Sequence, residues 1–309
     1  MTVFASAAYL ITAASLAKEV VHTPWWPPGS EVADESVGIV SRDRVFMTAM
    51  MERKLLKNTS FTLHAELSDV SDIAEAAGTN LSNLVACLVN TKPNRSASMR
   101  VLVEQALGAN GPALTVVEML GEYSGMFDFQ LSCEAVLPSV SRRVITQQGG
   151  MARAIVAGGI AHLSVTSSDW KSLLERTGAL TRAAAAAPTD DWLSSVVECS
   201  VFVRTAEEAA ALRSGLSTTA VPPSLLVVAA NTSGGAALSL MCSALVASTA
   251  TSSNAVSSAA GAAAAPSTSW LPEAATPGKT LVALNGSYAV VAQGLVYATL
   301  GAVCAPSGQ

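Results

Sequence analysis

Leu84-Val85-Ala86-Cys87-Leu88-Val89 returns further along the chain as Val196-Val197-Glu198-Cys199-Ser200-Val201. Likewise Phe129-Gln130-Leu131-Ser132-Cys133-Glu134-Ala135-Val136 returns as Leu238-Ser239-Leu240-Met241-Cys242-Ser243-Ala244-Leu245. The cysteines keep the same beat, 46 residues apart in the first copy and 43 in the second. Pro112 is echoed by Pro222. A fixed-order echo of this kind marks two copies of one supersecondary unit.

Working outward, the first copy opens with strands at 37–40 and 44–49 around Ser41-Arg42-Asp43. A helix over 60–77 buries Leu63, Leu67, Val70 and Ile73 on one face and stops at Gly78. A strand at 84–90, a helix over 96–107 and strands at 113–119 and 126–137 complete it. The second copy repeats the order. Strands at 154–156 and 161–166 precede a helix over 170–187 capped by Asp169, then come a strand at 195–204, a helix over 206–216 and strands at 225–230 and 236–247. Each copy reads β-β-α-β-α-β-β. The expected fold class is therefore α+β, with each unit a β-sheet carrying two helices on one face.

The expected organisation is an N-terminal extension over 1–35, a first unit over 36–140, a second over 141–248, an Ala/Ser-rich linker over 249–278 and a C-terminal β segment over 279–309. That segment has the pattern of a hairpin turning at Asn285-Gly286, with a third strand over 295–300. So small a β piece is expected to pair with the sheet of one unit, and the two units to pack face to face.

The chain has 309 residues, of which 50% are hydrophobic and only 13% charged. The charged share is about half the usual ~25%, which implies buried faces beyond the unit cores. A net charge of −5 and the lack of a Lys/Arg cluster argue against nucleic acid as a partner. Arg42, Arg44, Arg142 and Arg143 read as solvated loop ends. Four of the five cysteines fall in core strands and read as buried free thiols, which favours a cytoplasmic location or an organelle matrix. The apolar stretch 2–17 has no basic residue before Lys18 and is shorter than the ~20 residues that span a bilayer, so no membrane partner is expected. Trp25 and Trp26, among three prolines, are expected to dock on the body. His22, His64 and His162 lack metal-ligand spacing and read as packing or surface residues, and neither a metal nor a cofactor is expected.

The passage from Ile73-Ala74-Glu75-Ala76-Ala77-Gly78 to Leu84–Val89, with its echo at Val196–Val203, resembles the helix-to-strand passage of the RidA family (also called YjgF, or endoribonuclease L-PSP-like). Pro112-Ala113 and Pro222-Pro223 fall where that family enters a strand through Pro-Ala-Arg-Ser. The resemblance implies a tandem of chorismate-mutase-like domains. It also implies enamine or imine deamination in clefts between subunits, with an arginine fork for the substrate carboxylate and a glutamate for water.

Both residues are substituted here. The arginine position falls on Leu114 and Ser224, the glutamate position on Gln130 and Ser239, and a cysteine position on Val116 and Leu226. Glu118 is a shifted candidate carboxylate, and Tyr288, in Gly286-Ser287-Tyr288, matches a cleft tyrosine from the family's opening segment, which makes 279–309 similar to the start of a third unit. These eight residues are the candidate cleft positions. None is assigned a catalytic role, and the implied reading is a degenerate, small-molecule-binding or assembly module, a pseudoenzyme. The alternatives are an active deaminase on substituted residues, or an accessory to diphthamide synthesis. Similar tandems form the C-terminal half of eukaryotic diphthine–ammonia ligases, whose SGGKDS-type loop has no counterpart at Ser233-Gly234-Gly235. The expected partners are thus a small metabolite, another RidA-like subunit or a diphthamide-pathway ATPase.

Overall fold

The computed structural model describes residues 18–22, 36–52, 59–118, 127–146, 152–185, 192–216, 225–229, 231–232, 238–246, 279–284, 287–292 and 295–299. The N-terminal stretch 1–17, the tryptophan pair and the linker over 249–278 lie outside them.

The first sheet contains β1 (Lys18–His22), β2 (Val37–Ser41), β3 (Arg44–Glu52), β4 (Leu84–Thr91), β5 (Ala113–Glu118) and β6 (Phe127–Val136), with α1 (Thr59–Ala76) and α2 (Ser96–Leu107). The second contains β7 (Arg142–Thr146), β8 (Ala152–Ala157), β9 (Ile160–Ser167), β10 (Val196–Val203), β11 (Leu225–Ala229) and β13 (Leu238–Leu245), with α3 (Trp170–Ala184) and α4 (Ala206–Leu216). The strand orders are β1-β2-β3-β6-β4-β5 and, reading the second sheet from its opposite edge, β7-β8-β9-β13-β10-β11. They are the same order. β4 runs parallel to β5 across α2, as β10 does to β11 across α4, and all other neighbours are antiparallel. The fold is α+β, built as two sheets with two helices on one face of each.

Helix-side cores form where alternate strand residues meet the helices. Met47, Val89, Val116 and Leu131 meet Leu67, Val70, Met99 and Val103 in the first, and Leu163, Val201 and Leu240 meet Leu173, Leu180 and Ala209 in the second. Gly78 takes φ +79 just past α1, where a side chain would be strained. Asp169 caps α3 by accepting from Ser172 N at 2.9 Å. Inside α3, Gly178 gives its face to the Trp192 indole, and a Cβ there would lie 2.7 Å from Nε1.

The opposite faces of the two sheets pack on each other. Ala86, Leu88 and Val117 of the first meet Phe202 and Met241 of the second, while Val85, Ala113 and Val136 meet Ile155 and Ala157. All eight residues of β4 and of β9 are buried, because one face is covered by helices and the other by the opposing sheet. The scarcity of charge has its physical origin here.

Several expectations are corrected. The four core cysteines are not free thiols. Cys87 bonds Cys133 and Cys199 bonds Cys242, each pair directly opposite on neighbouring antiparallel strands, with Cα atoms 4.2 and 4.1 Å apart. The argument for a reducing compartment falls with them. Arg44, Arg142 and Arg143 are not loop ends but lie in β3 and β7, and Arg44 is 2% exposed. Arg142, on the second sheet, reaches the first by donating to Leu84 O at 2.8 Å and Asn110 O at 2.6 Å. Residues 231–232, expected in a turn, form β12 (Asn231–Thr232), which pairs with β5 of the first sheet. The C-terminal strands β14 (Lys279–Leu284), β15 (Ser287–Ala292) and β16 (Leu295–Thr299) have the expected hairpin register, Leu284 opposite Ser287, but form a separate three-stranded sheet. Among the described residues they pair with neither larger sheet. Among the described residues no helix is long and apolar enough to cross a membrane.

Candidate functional site

Alternation along the strands sorts the eight candidate positions. Leu114 and Val116 point to the helices and belong to the first core. Glu118, two residues on, shares that side. Its Oε1 accepts from Ser96 N at 3.2 Å and Ser96 Oγ at 2.7 Å, which places a carboxylate at the start of α2, where unpaired N–H groups favour negative charge. Gln130 lies on the opposite face of β6 and accepts from Asn90 Nδ2 at 3.3 Å. Ser239 is fully buried on β13, opposite Phe202 and Thr166, and its hydroxyl has no hydrogen-bond partner among the described residues. Ser224 lies outside the described residues. Leu226 is on β11 opposite Ser200, and Tyr288 is on β15 in the separate C-terminal sheet. The positions do not converge. Three face the helix side of one sheet, Gln130 and Ser239 lie on the opposed faces, and Tyr288 belongs to a third sheet.

What does converge lies between the two sheets. The rung next to the first disulfide reads Phe46, Glu134, Ala86 across β3, β6 and β4. The matching rung of the second sheet reads His162, Ser243, Glu198 across β9, β13 and β10. Arg44, two residues from Phe46 on β3, forms an ion pair with Glu134 through Nη1. The same Nη1 lies 3.0 Å from His162 Nε2, and Nη2 donates to Ala157 O at 3.2 Å. His162 Nδ1 is 3.5 Å from Glu134 Oε2.

A guanidinium can only donate, so His162 Nε2 must accept and the proton sits on Nδ1, directed at Glu134. The imidazole is therefore neutral. Burial drives its pKa down to about 4, with Arg44 adding to the fall and Glu134 opposing it. Glu198 moves the other way. Burial and then the Glu134 charge raise its pKa to about 8, against a hydrogen bond from Ser243.

Hydroxyls stitch the rest of the layer. Ser164 Oγ donates to Leu114 O at 2.7 Å, so Thr115 Oγ1, 2.8 Å away, donates to Ser164 across the sheets. Thr48 and Ser132 pair at 2.8 Å within the first sheet. Among the described residues no group of three or more His, Cys, Asp or Glu side chains could hold a metal. Sequence reasoning missed Arg44, Glu134, His162 and Glu198 as a set. The available signal was a glutamate beside a cysteine in each copy, inside strands whose only other charge is Asp128 near the start of β6.

The architecture defines the class: an α+β chain in which one sheet-and-two-helix unit occurs twice and packs on its own copy. No protein-family model and no curated protein matches the sequence. Solved structures resemble it. A chorismatase is 11% identical over 68% of this chain and 77% of its own, with a TM-score of 0.49. A Rid-family protein of Yersinia pestis is 14% identical over 39% of this chain and 100% of its own, TM-score 0.31. A YjgF-family protein of Neisseria meningitidis is 15% identical over 38% of this chain and 95% of its own, TM-score 0.29. At such identities the overlays carry nothing about chemistry, and the fold assignment stands on the strand order and register given above.

Proposed function

We propose that this chain is a two-unit RidA-like module, its units spanning about 36–140 and 141–248, that binds a small metabolite or assembles with other subunits and does not run the family's imine deamination. One observation carries the reading: the resemblance asks for a guanidinium fork beside a water-directing carboxylate, and the first unit offers Leu114 in a packed core and Glu118 engaged at α2. Without a charge-assisted anchor a substrate carboxylate loses about 1.5–3 kcal/mol of binding. Self-association through edges outside the inter-sheet face fits the same reading. The paired cysteines favour an oxidising compartment over the cytoplasm.

The test is a coupled assay of 2-iminobutyrate hydrolysis, with calorimetric titration of 2-ketobutyrate. The expected result is no turnover above the buffer rate. Hydrolysis that disappears in Gln130→Ala or Ser239→Ala would overturn the reading in favour of an active deaminase on substituted residues.

A further inference from the structure

The inter-sheet cluster is unbalanced in a way that invites a proton. From β3 comes Arg44, and from the turn before it Asp43, whose carboxylate and the Arg44 guanidinium both lie against Gly158. From β6 comes Glu134, already in an ion pair with Arg44. From β9 comes His162, neutral by its hydrogen-bond geometry, and β8 presents the Ala157 carbonyl and, further along the same face, Arg153, which is turned to Gly111 O at 3.4 Å. From β10 comes Glu198, the one residue of that strand left partly exposed, beside Ser243 of β13. The Arg44 guanidinium is paired with Glu134, and Glu198 shares the inter-sheet face with that pair. Glu134 already neutralises Arg44, so a charged Glu198 would meet Glu134 with no second cation paired to either.

We propose that the seal between the two sheets is a proton-linked clasp, closed when Glu198 is the neutral acid and loosened when it becomes a carboxylate facing Glu134. The reaction is a simple dissociation: the Glu198 carboxyl gives its proton to solvent, and the negative charge remains on the second sheet opposite Glu134.

The pH dependence follows from linkage. Glu198 has a folded pKa of about 8 against 4.5 for the free side chain, so the folded state holds the extra proton and its stability falls as pH rises through that interval. His162 has a folded pKa of about 4 against 6.5, so its contribution to stability rises with pH over 4 to 6.5. The two slopes oppose each other where they overlap. The wild-type folding constant should therefore be nearly level from about pH 5 to 6 and fall by about tenfold by about pH 8.

Glu198→Gln keeps the shape and removes the titration. Urea unfolding of this variant should show the opposite slope, a rise of about thirtyfold from pH 5 to 8 as only His162 remains. Parallel pH profiles for the wild type and Glu198→Gln would overturn the proposal, whatever their offset. A second measurement does not depend on the variant. In wild-type protein labelled at glutamate Cδ, one carbon signal should titrate near pH 8. A set of signals that all titrate below pH 6 would overturn it equally.

Discussion

Cutting the Cys87–Cys133 bond offers the sharpest test of how the first sheet is held. The bond joins β4 to β6 at directly opposed positions and closes a loop 46 residues long. In the chain-entropy account, a loop of this length restricts the unfolded chain by about 4 kcal/mol at 25 °C. Cys87→Ala/Cys133→Ala also removes two buried sulfur atoms, whose lost packing adds about 1–2 kcal/mol. The double variant should therefore lose about 5–6 kcal/mol in equilibrium urea unfolding under oxidising conditions. The second bond closes a nearly equal loop of 43 residues, so Cys199→Ala/Cys242→Ala should lose about the same. Adding reductant should lower the wild-type stability towards that of the variants while leaving a quadruple alanine variant unmoved. A first double variant within about 1 kcal/mol of wild type, or a wild-type midpoint indifferent to reductant, would refute the reasoning.

Two further substitutions probe packing. Gly178→Ala should gain about 1 kcal/mol of helix propensity but lose about 1–3 kcal/mol by overpacking, because its Cβ would lie 2.7 Å from Trp192 Nε1 and 2.9 Å from Cδ1. A net fall in melting temperature with a shift in tryptophan emission is expected, and an alanine variant more stable than wild type would show that the indole does not rest on this glycine. Arg44→Met should lose about 3–5 kcal/mol, since it strands Glu134 and the Ala157 carbonyl in the inter-sheet layer. Adding Glu134→Gln should restore part of that loss in chemical denaturation, and strictly additive losses would mean that the ion pair is not a unit.

The repeat made much of the fold legible. The succession of strands and helices and both helix pairs follow from matching the two copies, the Asp169 cap from its residue type, and the hairpin register around 285–286 from its turn pair. The cysteines kept the beat of opposed rungs, yet spacing alone could not say that they bond. β12 is two residues long, too short for any periodicity to announce it. The pairing of the C-terminal strands among themselves was also hidden, because a strand's pattern specifies its faces and not its neighbour. The inter-sheet cluster was the least legible part. β4 is buried on both sides and shows no polar alternation to say which side faces helices, whereas β9 sets His162, Ser164 and Thr166 on the face away from them. Arg44 acquires its role only from residues 90 to 118 positions away.

Covalent linkage of the two units changes what their shared face is permitted to contain. Where two identical subunits meet across a two-fold axis, every patch must complement itself, so a glutamate on the axis meets a glutamate. Here equivalent rungs have diverged: Phe46, Glu134 and Ala86 on one sheet stand where His162, Ser243 and Glu198 stand on the other. A donor imidazole can meet an acceptor carboxylate because the two copies are no longer obliged to be the same. By the same equivalence, the first unit paired with its own twin would set Glu134 against Phe46, and the second would set Ser243 against His162. Fusion thus fixes the identity of the partner as well as its proximity, and the broken symmetry of this one rung is the record of that choice.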